Sequence, residues 1–198
     1  MITVSIVYFS GSGHTKLMGE AVHEGVASVP GVSAESIDIQ GSDIVEGRYK
    51  NEWVFAKLAQ SAAIIFGTPT YMGGPAAQFK AFADAAGMVW FQQGWKDKLA
   101  GGFSHSSSPN GDKGSTLHYL SVFAAQMGML WVSAGELPSL LAGRSDGVNR
   151  LGTYLGPTGA SPMNPGAPAK VEQGDLLTAK SYGQRVARLA LQFNQTKQ

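Results

Sequence analysis

Residues 2–15 read Ile2-Thr3-Val4-Ser5-Ile6-Val7-Tyr8-Phe9-Ser10-Gly11-Ser12-Gly13-His14-Thr15. The first eight form a short apolar run rich in β-branched residues, the composition of a buried strand. The next six are small, polar and glycine-rich. Beyond them Leu17, Met18, Ala21, Val22, Gly25 and Val26 recur at helical spacing. Strand, tight loop and helix in that order are the opening unit of a parallel α/β sheet. The loop falls where the first N–H groups of the helix are free and its positive dipole end points outward.

The unit recurs along the chain. Pro30-Gly31 marks a turn, and Glu35, Ile37 and Ile39 alternate with Ser36 and Asp38 in a second strand. Trp53, Val54, Lys57 and Leu58 predict a helix. Ala62 to Phe66 is a continuous apolar run ending at Gly67, the mark of a strand covered on both faces. A loop, Thr68 to Gly74, follows. Pro75 suits the first position of the next helix, whose core face is Ala76, Phe79, Phe82 and Ala83. Leu99 to Ser104 reads as a fourth strand in which Gly101 and Gly102 imply close approach of a neighbour. His105 stands where this strand gives way to the loop Ser106-Ser107-Ser108-Pro109-Asn110-Gly111. Leu117, Leu120, Phe123, Ala124 and Met127 form a helix ended by Gly128. Met129 to Val132 is a fifth strand. Residues 138–173 hold five of the nine prolines, an irregular stretch long enough to be functional or interfacial. A last helix starts near Asp175, with Leu176, Leu177, Ala179, Val186, Ala187 and Ala190 inward.

Five alternations predict one α/β domain over residues 1–198. The expected architecture is a flavodoxin-like three-layer sandwich around a five-stranded parallel sheet of order 2-1-3-4-5. Ligands of such sheets bind beyond the carboxyl ends of the strands, near the switch point. That rule selects Ser10–Thr15, Thr68–Gly74 and Ser104–Asp112.

Composition narrows the chemistry. Of 198 residues, 43% are hydrophobic and 15% charged, 26 are glycine, none is cysteine, and the formal net charge is +1. Disordered chains, disulfide scaffolds, thiolate zinc sites and cysteine nucleophiles are excluded. Near-neutral charge argues against nucleic acid as partner. No run approaches the ~18 apolar residues of a membrane span, and no basic segment precedes Ile2 as in a signal peptide. A cytoplasmic location is therefore the default, and Asn194-Gln195-Thr196 is a chance glycosylation match. His14, His23, His105 and His118 lack metal-ligand spacing, and no G-x-S-x-G elbow is present.

The first loop can bind a phosphate monoester without Lys or Arg, through backbone N–H groups and the hydroxyls of Ser10, Ser12 and Thr15. It is neither Walker A nor the dinucleotide fingerprint, since His14, Thr15 and Lys16 follow Gly13. The alternative is a helix capped by Ser12 or Thr15 with no ligand. The second loop, with Pro69, Thr70, Tyr71, Met72 and Gly73, can lie against a planar ring, or be a plain turn. The third offers small donors, or is a serine-rich surface loop. A phosphate at the first loop with a ring against the other two has the shape of FMN.

The sequence here resembles a known family. Y-F-S-x-S-G-H-T before a helix, F-G-T-P-T-Y-x-G with A-x-Q-F-K-A-F-x-D after it, G-x-x-W and K-L-A-x-x-F-S are similar to WrbA-type, flavodoxin-like NAD(P)H:quinone oxidoreductases. The likeness continues through Leu155-Gly156-Pro157-Thr158-Gly159-Ala160-Ser161 to Ala179, Tyr182, Gly183 and Val186. It implies that Ser10, Gly11, Ser12, Gly13, His14 and Thr15 hold the FMN phosphate. Pro69, Thr70, Tyr71, Met72 and Gly73 would contact the ribityl chain and isoalloxazine. Ser104, His105, Ser106, Gly111 and Asp112 would line the ring, and Trp90 would border the substrate space. It further implies NAD(P)H as co-substrate, a quinone-like acceptor and a homo-oligomer, dimer or tetramer. The chain departs from the family where Tyr71 and Met72 replace an arginine and a phenylalanine, and where Ala125-Gln126-Met127 replaces a histidine pair. No catalytic side chain is required, although His105 is a candidate proton donor. The rival readings are a one-electron flavodoxin, a nitro- or azo-compound reductase and a non-enzymatic binding protein.

Overall fold

The computed structural model describes residues 1–162, 164 and 166–195. Met163, Pro165 and residues 196–198, including Thr196 of the glycosylation-like triplet, lie outside them. In chain order the elements are β1 (Ile2–Tyr8), α1 (His14–Ala27), β2 (Val32–Asp38), β3 (Ile44–Val45), β4 (Arg48–Tyr49) and α2 (Glu52–Ala59). Then come β5 (Ala63–Tyr71), β6 (Gly74–Pro75), α3 (Ala77–Ala85), α4 (Gly87–Phe91) and β7 (Leu99–Ser106). The chain continues through α5 (Lys113–Gln126), β8 (Leu130–Trp131), β9 (Thr158–Ala160) and α6 (Gln173–Gln195). The main sheet runs β2-β1-β5-β7-β8, the expected 2-1-3-4-5 order, with parallel pairing throughout this path.

The pleat divides the central strands between two cores. Ala63 and Ile65 of β5 join Val4, Ile6 and Phe103 beneath α1 and α6, where Met18, Val22, Tyr182 and Val186 are fully buried. Ile64 and Phe66 face the other way, onto Phe79 and Phe82 of α3 and Leu117, Leu120 and Phe123 of α5. Both faces are covered, hence the uninterrupted apolar run. Glycines mark the closest approaches. A Cβ on Gly25 would strike the Lys180 carbonyl, and one on Gly183 the Val22 carbonyl, so α1 and α6 meet backbone to backbone. Gly101 lies under the Tyr182 ring and Gly102 under Leu120 and Trp131, as their place in the strand predicted.

Several boundaries differ from the sequence reading. The third strand does not stop at Gly67 but runs on to Tyr71, pairing Thr68 with Ser104 and Pro69 with His105. It then folds back through Met72 and Gly73, both at positive φ, onto β6. Pro75 is part of β6, and α3 begins two residues later. Alternating threonine and proline looks like loop, yet the threonine side chains bond inward: Thr68 Oγ1 accepts the Ala76 N–H (3.1 Å) and Thr70 Oγ1 donates to Thr116 Oγ1 (2.8 Å). The fourth strand likewise extends to Ser106. The fifth strand is split. β8 pairs with Leu99 and Ala100 at the start of β7, β9 pairs with Ser104 to Ser106 at its end, and residues 132–157 lie between them. In α6 the inward stripe is Ala179, Tyr182, Gly183, Val186, Ala187 and Ala190, while Leu176 and Leu177 are half-buried. Among the described residues no helix is long and apolar enough to cross a membrane.

Candidate active site

Beyond the carboxyl end of β1 the chain turns sharply into α1. Gly13 caps the helix at φ +90°, with no side chain closing the helix end. Among the described residues no protein acceptor meets the backbone N–H groups of Gly11, Ser12, Gly13, His14 or Thr15. The Ser10 hydroxyl accepts the Lys16 N–H (3.1 Å), and Ser12 Oγ lies 3.1 Å from His14 Nδ1. This is an anion cradle of aligned N–H groups at a positive dipole end. The loop also meets its neighbours. A Cβ on Gly11 would strike the Tyr71 hydroxyl, and one on Gly13 would crowd Ala169 at 3.0 Å.

The second predicted segment contributes from the β5–β6 hairpin. Tyr71, Met72 and Gly73 form its exposed tip, and Tyr71 Oη leans over Gly11. Pro69 and Thr70 lie deeper, in the sheet. Thr70 Oγ1 is 2.8 Å from Ser104 Oγ, which also donates to the Thr68 carbonyl (2.8 Å). Thr70 and Ser104 therefore spend their hydroxyls inside the protein. These bonds brace the floor beneath the hairpin.

His105 departs furthest from expectation. It is no loop residue but a buried strand residue, facing α1 with the opposite pleat from Ser104. Its ring stacks on that of His14 and its Nε2 lies 3.2 Å from Ser161 Oγ. Burial, then the neighbouring His14, Lys113 and Arg150, push its pKa down to about 3. A group that stays neutral above that pH is a poor proton donor at pH 7. His105 thus stacks beneath the phosphate corner, against His14.

The third loop, residues 107–112, is held by a residue that the sequence did not single out. Lys113, 1% exposed, donates from Nζ to Ser106 Oγ (2.9 Å) and to the carbonyls of Ser108 (2.7 Å), Pro109 (3.0 Å) and Asn110 (3.0 Å). Gly111 and Asp112, both at φ +53°, turn the chain into α5. A second clasp ties β9 to the same edge. Arg150 grips Asp175 at 2.8 and 2.7 Å, Arg150 Nη2 donates to the Ala160 carbonyl, and Asp175 Oδ2 accepts the Ala160 N–H. Nothing in residue spacing pointed to these three residues: Arg150 and Asp175 meet only through the fold, and Lys113 is clasped by the loop just before it, whose conformation spacing does not reveal.

A family model described as NADPH-dependent FMN reductase matches residues 4–139. The chain belongs to this family. Flavodoxin FldP of Pseudomonas aeruginosa is 41% identical over 191 residues, 96% of this chain and 97% of its own. An NAD(P)H dehydrogenase (quinone) of Geobacter sulfurreducens is 34% identical over 209 residues, covering 98% of this chain and all of its own (100%). The crystal structure of a WrbA-like flavodoxin from Agrobacterium tumefaciens matches with a TM-score of 0.74 at 42% identity, over 97% of this chain and 99% of that one.

As a member of the FMN reductase family, the chain has to accommodate a phosphate monoester, a ribityl chain and a three-ring plane. The phosphate corner fits: unpartnered N–H groups and serine hydroxyls at a helix N-terminus entered through Gly13 at φ +90°. The hairpin tip and the 107–112 loop flank an open edge on which a ring can lie. Trp90 is not brought to this edge within one chain. It is half-exposed on α4 and lines a groove of about 250 Å³ with Lys80, Tyr119, Gln126 and Met127. The groove runs from Lys80 along α3 and from Tyr119 along α5 toward the helix ends that lead into β7 and β8, away from the carboxyl edge of the sheet.

Proposed function

We propose that this single domain of residues 1–198 is an FMN-dependent oxidoreductase that takes hydride from NAD(P)H and delivers it to a quinone-like acceptor. The observation that carries this reading is the phosphate corner at the β1–α1 turn, in a chain alike over nearly its whole length to NAD(P)H dehydrogenases (quinone). FMN held at this corner by the Gly11 to Thr15 loop would supply two-electron chemistry.

The protein's own part is to bind, orient and tune. The N–H groups of Gly11 to Thr15 and the hydroxyls of Ser10 and Ser12 hold the phosphate. Pro69 and Thr70 set the hairpin from below, while Tyr71, Met72 and Gly73 border the ribityl chain and ring. Ser104 buttresses Thr70, and His105 buttresses His14. Ser106, Gly111 and Asp112 shape the loop along the ring's polar edge, where N–H donors meet negative charge. Trp90 would reach a substrate only at the site of another copy in a dimer or tetramer. The exposed Trp90, Phe91, Leu140 and Leu141 support such an assembly. Dependence on NAD(P)H supports a cytoplasmic setting.

Visible absorbance of the purified protein and steady-state turnover of NADH or NADPH with benzoquinone test the proposal. A flavin-loaded protein with no turnover would overturn it. A second reading, a one-electron carrier, is favoured by the likeness to flavodoxin FldP. The formal charge of +1 lacks the acidity expected of a carrier steered to its partners by charge. Redox titration showing two well-separated one-electron steps would favour the carrier.

A further inference from the structure

Lys113 is an expensive residue to keep. A lysine at the first position of a helix opposes the helix dipole, and a buried ammonium loses its hydration. It is nevertheless 1% exposed at the start of α5. Three carbonyls and one hydroxyl of the preceding loop satisfy it, and that hydroxyl, Ser106 Oγ, donates onward to the Ser108 carbonyl (3.1 Å). The titratable and charged groups facing it are Arg150, Asp175 and His105, with Asp112 beside it in the chain. Arg150 and Asp175 neutralise each other in a close pair, and His105 is neutral. The ammonium itself is hydrogen-bonded by neutral oxygens alone.

The clamp has a directional consequence. Carbonyls drawn inward onto Nζ leave the N–H groups of the same loop pointing away from it. Among the described residues those of Asn110 and Gly111, trans to the clasped Pro109 and Asn110 carbonyls, have no protein acceptor. The ammonium and the positive end of α5 thus sit beneath a rim of outward donors.

We propose that Lys113 is a positioning residue of the flavin site: it orders loop 106–112 and places a buried positive charge under the rim that meets the ring, favouring reduced over oxidised FMN. This rests on the proposed FMN reading of the same edge. Reduction adds negative charge to the ring system, so a fixed cation nearby binds the reduced form more tightly. Burial and Arg150 hold the Lys113 pKa down at about 8, against the opposing pull of Asp175, so the charge is present at neutral pH.

The test is the FMN midpoint potential of the holoprotein and of Lys113→Met, with the FMN dissociation constant from fluorescence quenching. Lys113→Met should weaken reduced FMN at least tenfold more than oxidised FMN, lowering the two-electron midpoint by about 30 mV or more. Equal weakening of both forms would mean a staple without electrostatic effect and would overturn the proposal. If Lys113→Met does not fold, the wild type carries the test alone. Its midpoint should fall more steeply with pH above about 8, as the ammonium is lost, and no such break between pH 7 and 10 would overturn it. Failure of the wild type to bind FMN at all would instead remove the underlying reading.

Discussion

The imidazoles of His14 and His105 stack with centroids 4.8 Å apart and planes 16° from parallel. His14 opens α1 and His105 ends the ladder of β7 with β5, so this contact joins the phosphate corner to the central sheet. Burial, the stacked His14 ring and the nearby Lys113 and Arg150 disfavour a charge on His105. Burial and these neighbours hold His105 at about 3, well below an ordinary imidazole. Between pH 6.5 and about 3 the unfolded chain carries a proton at this position that the folded chain does not. Stability therefore falls as pH falls through that window, by up to about 1.4 kcal/mol per pH unit. Urea unfolding of wild type and His105→Gln from pH 7 to 4 should show the steeper loss in wild type. Parallel slopes would contradict the assignment.

Gly11 faces the Tyr71 hydroxyl so closely that a side chain there would push the tyrosine tip aside. Gly11→Ala should weaken FMN binding at least tenfold. Tyr71→Phe removes only the oxygen and should be mild. In the double variant the added methyl meets an emptied space, so affinity should recover much of the loss. A double-mutant cycle by fluorescence titration measures this coupling, and additive effects would show that the two loops do not touch.

Tyr182 links α6 to the sheet through one oxygen. Its hydroxyl accepts the Gly102 N–H (3.1 Å) and donates to the Val132 carbonyl (2.6 Å), with the ring laid over Gly101. Tyr182→Phe leaves two buried backbone groups unpaired and should cost about 2 to 4 kcal/mol. Gly101→Ala should also destabilise, by forcing the ring away. Chemical denaturation would measure both, and a loss below about 1 kcal/mol in Tyr182→Phe would argue that water replaces the hydroxyl.

Trp90 and the phosphate corner lie at opposite edges of one chain. If the chain binds FMN alone, Trp90→Ala leaves the FMN dissociation constant within about twofold. A loss of affinity tracking dissociation of an oligomer in size-exclusion chromatography would instead assign Trp90 to a neighbour's site.

Much of this protein was legible from residues 2–15 outward. The parallel sheet, its strand order and the three loops at its carboxyl edge follow from apolar runs, helical spacing and glycine-rich turns. Those signals are local, and the pleat and the helix repeat convert them directly into buried faces. The tertiary structure alone decided which way the polar residues point. Thr68, Thr70, Ser104 and His105 look like loop in sequence, but the ladder between β5 and β7 continues through them and the pleat turns each inward. The extensions, four residues of β5 and two of β7, have the composition of a loop, and only the partner strand distinguishes them. Lys113 is the same lesson in electrostatics. By sequence it is one more surface lysine, and only the convergence of three carbonyls on its ammonium makes it a buried charge at the site. The partners are neighbours in sequence, residues 106–110, but only the way this stretch folds back at the edge of the sheet aims their oxygens at one ammonium.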